Sequence, residues 1–325
     1  LAGVSNDNND ALTLKVSGAT ATAADLNALD AKTSVDVDAT AVSKITGNAA
    51  DVKKAVDAVN AEINLDAAVA IDVSGTVSVA DANTIAAATT GKVTATIAAG
   101  AAADLNALTD LVGGVQQVNA YTLTVNGATA LASDLIALDG KTSVTINAAA
   151  INNIEGNGAT GVAAVKAAYL ANAKKDISGL GNETVDLSKA GDANAALVKA
   201  INDYTTGLIT LPTITFDKAA VAGTTFDLKQ LGDLNGITGL VNIDAKNTQD
   251  DTISISLKDL LAANDSKGNF TFKVTGDNGG NDEVSITNDL SGWTQTKSIA
   301  AEHTYTNGKI GQVVTIELVD AVFAV

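Results

Sequence analysis

Oxygen donors crowd around one pair of glycines in this sequence. Asp277, Asn278, Asn281, Asp282 and Glu283 surround Gly279 and Gly280. A calcium ion takes roughly six to eight hard oxygens from carboxylates, amides and carbonyls. Gly-Gly lets the backbone turn sharply enough to bring several donors to one centre. This group predicts a Ca²⁺ site, with a solvated acidic turn as the competing reading; calcium is the one cofactor suggested. Asp250 and Asp251 form a second, smaller donor pair.

Other chemistry finds less support. His303 is the single histidine and there is no cysteine. A transition-metal site needs partners that a lone imidazole lacks, and no acid stands at a recognisable spacing for a Ser-His-Asp arrangement. Paired carboxylates cleave glycosides in grooves with aromatic platforms and basic groups. This chain has one Trp, four Tyr and only lysines among its 20 basic residues. No phosphate-binding glycine loop occurs. No residue is assigned a catalytic role, and Trp293 reads as a packing anchor. The sequons at Asn182 and Asn269 read as chance matches.

Charge narrows the partners. The net charge of −17 opposes both nucleic acid and anionic membrane surfaces, which need a basic footprint. It favours solubility and divalent cations. No apolar run reaches the roughly 18 residues of a membrane-spanning helix. The first ten residues lack the basic and apolar regions of a secretory signal.

The elements that must carry these groups come from a repeat. The stretch Val16–Val35 recurs as Val125–Val144, a period of about 109 residues that holds through Gly47 and Gly156. Ala102–Leu108 repeats Ala23–Leu29 without change, and a looser copy runs from Val73 to Ile97. β-Branched runs at Leu12–Val16, Ser34–Asp38, Val69–Val73, Val93–Ile97, Tyr121–Val125, Ser143–Asn147, Thr184–Leu187 and Leu208–Leu211 predict strands. Their starts are often about 22–28 residues apart, one solenoid coil.

Between them, Ala23–Leu29, Ala50–Val59, Ala80–Ala88 and Gly161–Ala173 predict short helices, with Val52, Val56 and Val59 at helical spacing. Asp25 marks a helix start after Thr22 or Ala23. Gly18, Gly75 and Gly127 each follow a strand, where positive φ would give a sharp exit. Hydrophobic residues make up 46% of the chain but aromatics only 3%, a composition suited to thin stacked layers. The expected fold is a repeat solenoid of parallel strands with short crossover helices, α/β or β-helix-like and right-handed, over 1–212. The single proline, Pro212, marks its end.

From Thr213 on the alanine-rich helices stop. Strands are predicted at Thr213–Phe216, Thr225–Leu228, Val241–Ile243, Thr252–Leu257, Phe270–Val274, Glu283–Ile286 and Val313–Leu318, with turns at Asp277–Asn281 and Thr306–Gly308. A β-rich module over 213–325 is expected. Five motifs follow in order: Leu234–Asp244, Asp251–Leu261, Phe272–Asp277, Val284–Thr294 with its Gly-Trp-Thr, and Tyr305-Thr-Asn-Gly308. The series resembles a module near the C-termini of large bacterial surface proteins exported by type I secretion, adhesins and other proteins of the repeats-in-toxin kind. It covers roughly residues 230 to 320. Gly279–Val284 departs from that family's calcium nonapeptide, because it lacks the third glycine and a stacked neighbour. Asp320 followed by Ala321–Val325 looks like the uncleaved tail of type I substrates; a last strand is the alternative.

The resemblance implies an extracellular protein at a bacterial cell surface. A structural or adhesive role is expected, not an enzyme. Its partners would be further copies, in a surface layer or filament, or surface glycans, with no nucleic acid and no membrane insertion.

Overall fold

The computed structural model describes residues 11–59, 62–109, 111–112, 115–116, 119–191, 200–201, 203–207, 209–210, 214–215, 225–227, 237–244, 252–256, 270–276, 283–287, 293–299, 302–307, 312–319 and 322–324. The fold is mixed α/β, with short helices and mostly parallel strands in several sheets. Two compact units divide the chain. One comprises Leu1–Gly127, Asp134–Ala150 and Asn172–Gly179; the other Ala128–Ser133, Ile151–Ala171 and Leu180–Val325.

Six helices are described: α1 Ala23–Asp30, α2 Ala49–Asp57, α3 Val79–Ala87, α4 Ala102–Leu105, α5 Ala132–Asp139 and α6 Gly161–Lys174. The first three share one chemistry at their starts, whereas Ala101 opens α4 without a side-chain cap. Thr22, Asn48 and Ser78 cap α1, α2 and α3 by accepting from the N–H of Asp25, Asp51 and Asp81, three residues on. Each cap also donates to the same aspartate's carboxylate, at 2.7, 2.7 and 2.8 Å. The hydrogen bond satisfies an orphan N–H, and the acid sits at the positive end of the helix dipole. Thr22, not Ala23, is therefore the first cap. Val52, Ala55 and Val56 of α2 and Val162, Val165 and Tyr169 of α6 point inward at helical spacing, whereas Val59 lies past the end of α2.

In the first unit a five-stranded sheet runs Thr20–Thr22, Lys44–Asn48, Ala70–Val77, Val93–Ile97, Ala120–Thr122, all parallel. Thr20 lies opposite Lys44, Lys44 opposite Ala70, Ile71 opposite Val93 and Thr94 opposite Ala120. Each strand thus meets the next after a step of about 22–26 residues, enough for the crossover that parallel pairing demands. Two separate two-stranded parallel sheets in this unit pair Val37–Ala39 with Ile63–Leu65 and Ile146–Asn147 with Ile177–Ser178.

The second unit holds a ten-stranded sheet. Its parallel part runs through Thr129–Leu131, Asn153–Glu155, Thr184–Asp186, Ile209–Thr210, Ile237–Asp244, Phe270–Thr275 and Gln312–Val319, with Ile214–Thr215 also pairing with Ile237–Asp244. An antiparallel end follows, Glu302–Asn307 and then Trp293–Ile299. A four-stranded parallel sheet joins Thr225–Asp227, Thr252–Ser256, Glu283–Thr287 and Val322–Ala324. Beyond Ile201 every described element is a strand.

Three expectations need correction. Leu12–Val16 forms no regular strand: Lys15 makes a single bridge to Asp38. Of the three strand-exit glycines only Gly75 has positive φ, at 80°. It does not end its strand either. It lies inside Ala70–Val77, where the register shifts between Asp72 and Thr76, so its freedom serves a bulge. Thr20–Thr22, Lys44–Asn48, Ile63–Leu65, Thr129–Leu131 and Asn153–Glu155 were not expected as strands. Each step therefore uses more strand than its apolar runs suggest.

Polar side chains tie one step to the next. Thr33, Thr89, Thr142 and Thr205 occupy equivalent corners. Their hydroxyls donate back to the carbonyls of Leu12, Val69, Tyr121 and Glu183, at 2.7, 2.6, 2.7 and 3.1 Å. Each also accepts from the N–H two residues on, in Val35, Gly91, Val144 and Gly207. At Gly91 a Cβ would collide with the backbone of Ala68 and Val69, and at Gly207 with that of Glu183, so these two corners exclude a side chain. Between helices, Asn27 donates to the carbonyl of Asp51 and Asn106 to that of Asp134, both at 3.0 Å. Asn83 donates to the carbonyl of Ala107 at 2.8 Å and accepts from Thr109.

The core between these ties is small-chained: Leu26, Ile45, Val52, Ile71, Ile85 and Val93 are fully buried, each contributing about 1.5–3 kcal/mol by burial. Replacing buried Thr89 with valine keeps its shape and strands the carbonyl of Val69 and the N–H of Gly91. Thr89→Val is expected to cost about 1–3 kcal/mol in chemical denaturation; a change below a few tenths would show the corner to be incidental.

Candidate functional site

Most of the expected calcium donors, Asp277, Asn278, Asn281 and Asp282, lie outside the described residues, as do Asp250, Asp251, Asn269 and Asp320. Glu283 is exposed and opens its strand, opposite Thr252 on one side and Val322 on the other. His303 lies in Glu302–Asn307, opposite Ser298 and Ile316. Trp293 is buried opposite Asn307, consistent with an anchor in the core. Val322–Ala324 forms a strand beside Glu283–Ser285.

The clearest electrostatic feature was not read from the sequence. Asp30 and Asp139 end α1 and α5 at equivalent places in the long repeat. A helix C-terminus is the negative end of the dipole, an unfavourable place for an acid. Burial raises Asp30 first and Glu62 adds to it, with Lys54 opposing. Burial likewise raises Asp139, Asp176 adds to it, and Lys174 opposes. In each case the second acid arrives from the next step of the chain, so neither pair shows as a local motif. A concavity beside Asp139 is lined by Thr142, Ser143, Thr145, Lys175 and Asp176. A second carboxylate nearby disfavours the ionised form of the first. Among the described residues no group of three or more His, Cys, Asp or Glu side chains is placed to hold a metal ion.

A second groove follows the helix starts, lined by Thr22, Gly47, Asn48, Asp51, Asp72 and Ser74. Its polar groups serve one another: Asn48 holds Asp51, and Asp72 pairs with Lys44. Nearby, Asp38 is held down at about 2 by the Thr40 hydroxyl and then Lys15. These are structural contacts along the sheet.

One carboxylate is fully internal. Glu183 is 2% exposed. It accepts from the Tyr169 hydroxyl and from the N–H groups of Gly181 and Asn182, the last two at 2.8 and 3.2 Å. Tyr204 stacks on Tyr169 with ring centres 6.0 Å apart and stays 38% exposed. Three donors fix this buried carboxylate in place. No protein family and no curated protein matches the chain.

Burial also raises three tyrosines. It pushes the Tyr121 hydroxyl up to about 12. Tyr169 is raised by burial and then by Glu183, and Tyr305 by burial. An unfolded tyrosine ionises near pH 10, so the raised groups contribute stability that is complete below about pH 10 and is lost as pH climbs toward their folded values. The denaturation midpoint is expected to fall between about pH 10 and 12. Tyr121→Phe, which removes a buried hydroxyl without a partner, should shrink that fall and leave stability at neutral pH unchanged or higher. A flat midpoint over this range would contradict the burial.

Proposed function

We propose that the chain is a solenoid with a structural or adhesive role on the outside of a bacterial cell, its β-rich C-terminal part being of the type I-exported kind. One observation carries the reading. The long-range side-chain hydrogen bonds of the described residues reach one step along the chain, from 20 residues between Thr89 and Val69 to 32 between Ser178 and Ile146. Nearest-neighbour bonding of this sort lets length be added without redesigning a core. The net charge of −17 suits an exposed, soluble surface, and Thr22, Asn48, Asp72, Thr142, Ser143 and Thr145 of the two grooves bond to neighbouring backbone and side chains. Antibody raised against the chain should label intact cells of the producing bacterium; labelling only after lysis would overturn the surface role.

Calcium belongs to this reading at Asp277, Asn278, Asn281, Asp282 and Glu283. Calorimetry should show Ca²⁺ binding that the Asp277→Ala/Asp282→Ala double variant loses. Heat of equal size from both proteins would remove the site. A second reading, a glycan-binding module, is favoured by Tyr204, whose exposed ring rests on Tyr169 and offers a flat apolar face of the kind sugars stack against.

A further inference from the structure

Helices of this protein do not need an unpaired acid at their last residue. α3 ends on Ala87, α2 ends on an aspartate that Lys53 holds at 2.8 Å, and the third copy of the helical piece has Thr109 in place of Asp30. Yet α1 and α5 both end on a half-buried aspartate at the negative end of the helix dipole. The chain then does the same thing twice. The N–H groups of Lys32 and Lys141 donate back to the carbonyls of Leu29 and Leu138, both at 3.0 Å, and Thr33 and Thr142 turn the corner. One backbone bond then fastens the step to its successor. The N–H of Val37 donates to the Glu62 carbonyl at 2.8 Å, and that of Ile146 to the Asp176 carbonyl at 2.9 Å. The residue whose carbonyl fastens the step is in each case the one whose carboxylate meets the helix-end aspartate.

The charged groups around each corner are few. Asp30 faces Glu62, Asp36 and Lys54. Asp139 faces Asp176 and Lys174, and Lys175 lines the same concavity. Lys32 and Lys141 follow two residues later in the chain. All of these residues belong to the first compact unit, and the single histidine, His303, belongs to the other. Burial and the second acid together outweigh the lysine at both corners, so each aspartate keeps its proton to a higher pH than an open carboxyl does.

We propose that the Asp30–Glu62 and Asp139–Asp176 corners are proton-operated clasps between consecutive steps, closed when one acid of the pair carries a proton and loosened when both are ionised. The first unit therefore tightens as its surroundings acidify. A carboxyl raised on folding contributes stability that is complete below its ordinary value, about pH 4, and is lost as pH rises through its folded value. Asp38 has the opposite sign: held at about 2, it contributes fully above its ordinary value and is lost only at lower pH. Among the described residues Asp30 and Asp139 are the raised carboxyls, so the two corners set the sign between about pH 4 and 7. The inference goes beyond the cell-surface reading and does not depend on it; cell labelling and proton response fail separately.

Amide hydrogen exchange of the full chain reads each clasp separately. Protection of the Val37 and Ile146 N–H groups, corrected for intrinsic exchange, should rise severalfold when pH is lowered from about 7 to about 5. Asp30→Asn and Asp139→Asn each imitate a carboxyl that has kept its proton. Each should raise protection at its own corner at neutral pH and abolish the pH response there, leaving the other corner responsive. Lys54→Ala removes the opposing cation and should move the response of the first corner to higher pH, a shift that loss of packing alone would not produce. Equal protection at the two pH values would overturn the proposal. So would a response that survives in the Asp30→Asn/Asp139→Asn double variant. Lower protection in the asparagine variants at neutral pH would also overturn it, since the ionised acids would then be stabilising.

Discussion

Parallel pairing governs this molecule. A parallel strand cannot be reached by a tight turn, so the chain must leave the sheet, cross over and return in register. Here the crossover is a helix of about one to four turns, or a loop, and the return is short: Thr20–Thr22 and Thr129–Leu131 have three residues each. Strands so brief supply few backbone hydrogen bonds and bury few side chains. The remaining cohesion comes from what the crossover adds, the Thr33, Thr89, Thr142 and Thr205 hydroxyls and the Asn27, Asn83 and Asn106 amides. The alanine-rich composition follows from the same constraint. A helix laid close along thin layers leaves room for Ala23, Ala55 and Ala86, all without exposed surface, and for little that is larger.

Much of this was legible. Val93–Ile97 has the bounds its alternation suggests, α6 ends one residue beyond its predicted limit, and the expected strands from Thr213 on each overlap a described one. These segments have several apolar residues in one period, so the local pattern and the packed structure agree. Thr20–Thr22 and Asn153–Glu155 went unread because each has a single apolar residue, Ala21 or Ile154, between polar neighbours. Their identity as strands comes from partners a full step away, which no local window contains. Gly75 misled for a related reason: a glycine after a run of β-branched residues looks like an exit, and only the register with Val93–Ile97 shows the strand continuing past it.

Functional legibility divides along the same line. Asp25 was visible as a helix start because cap and acid are three residues apart in sequence. The meeting of Asp30 with Glu62, and of Asp139 with Asp176, is created by stacking, and neither partner is unusual in its own neighbourhood. The Glu183 corner is similar. Its sequence, Asn182-Glu-Thr184, reads as a sequon, while the fold turns the glutamate inward to hold Tyr169 and two backbone N–H groups.

The capping aspartates carry a consequence for how this sequence can change. Asp25, Asp51 and Asp81 stand where three helix beginnings favour an acid, so part of the acidity is written into the scaffold and multiplies with every duplication of the repeat. Descendants of this chain that lengthen by copying steps will grow more acidic in proportion. Those that drift toward neutrality must give up helix starts or collect lysines elsewhere, as Lys15, Lys44 and Lys53 already do beside Asp38, Asp72 and Asp57.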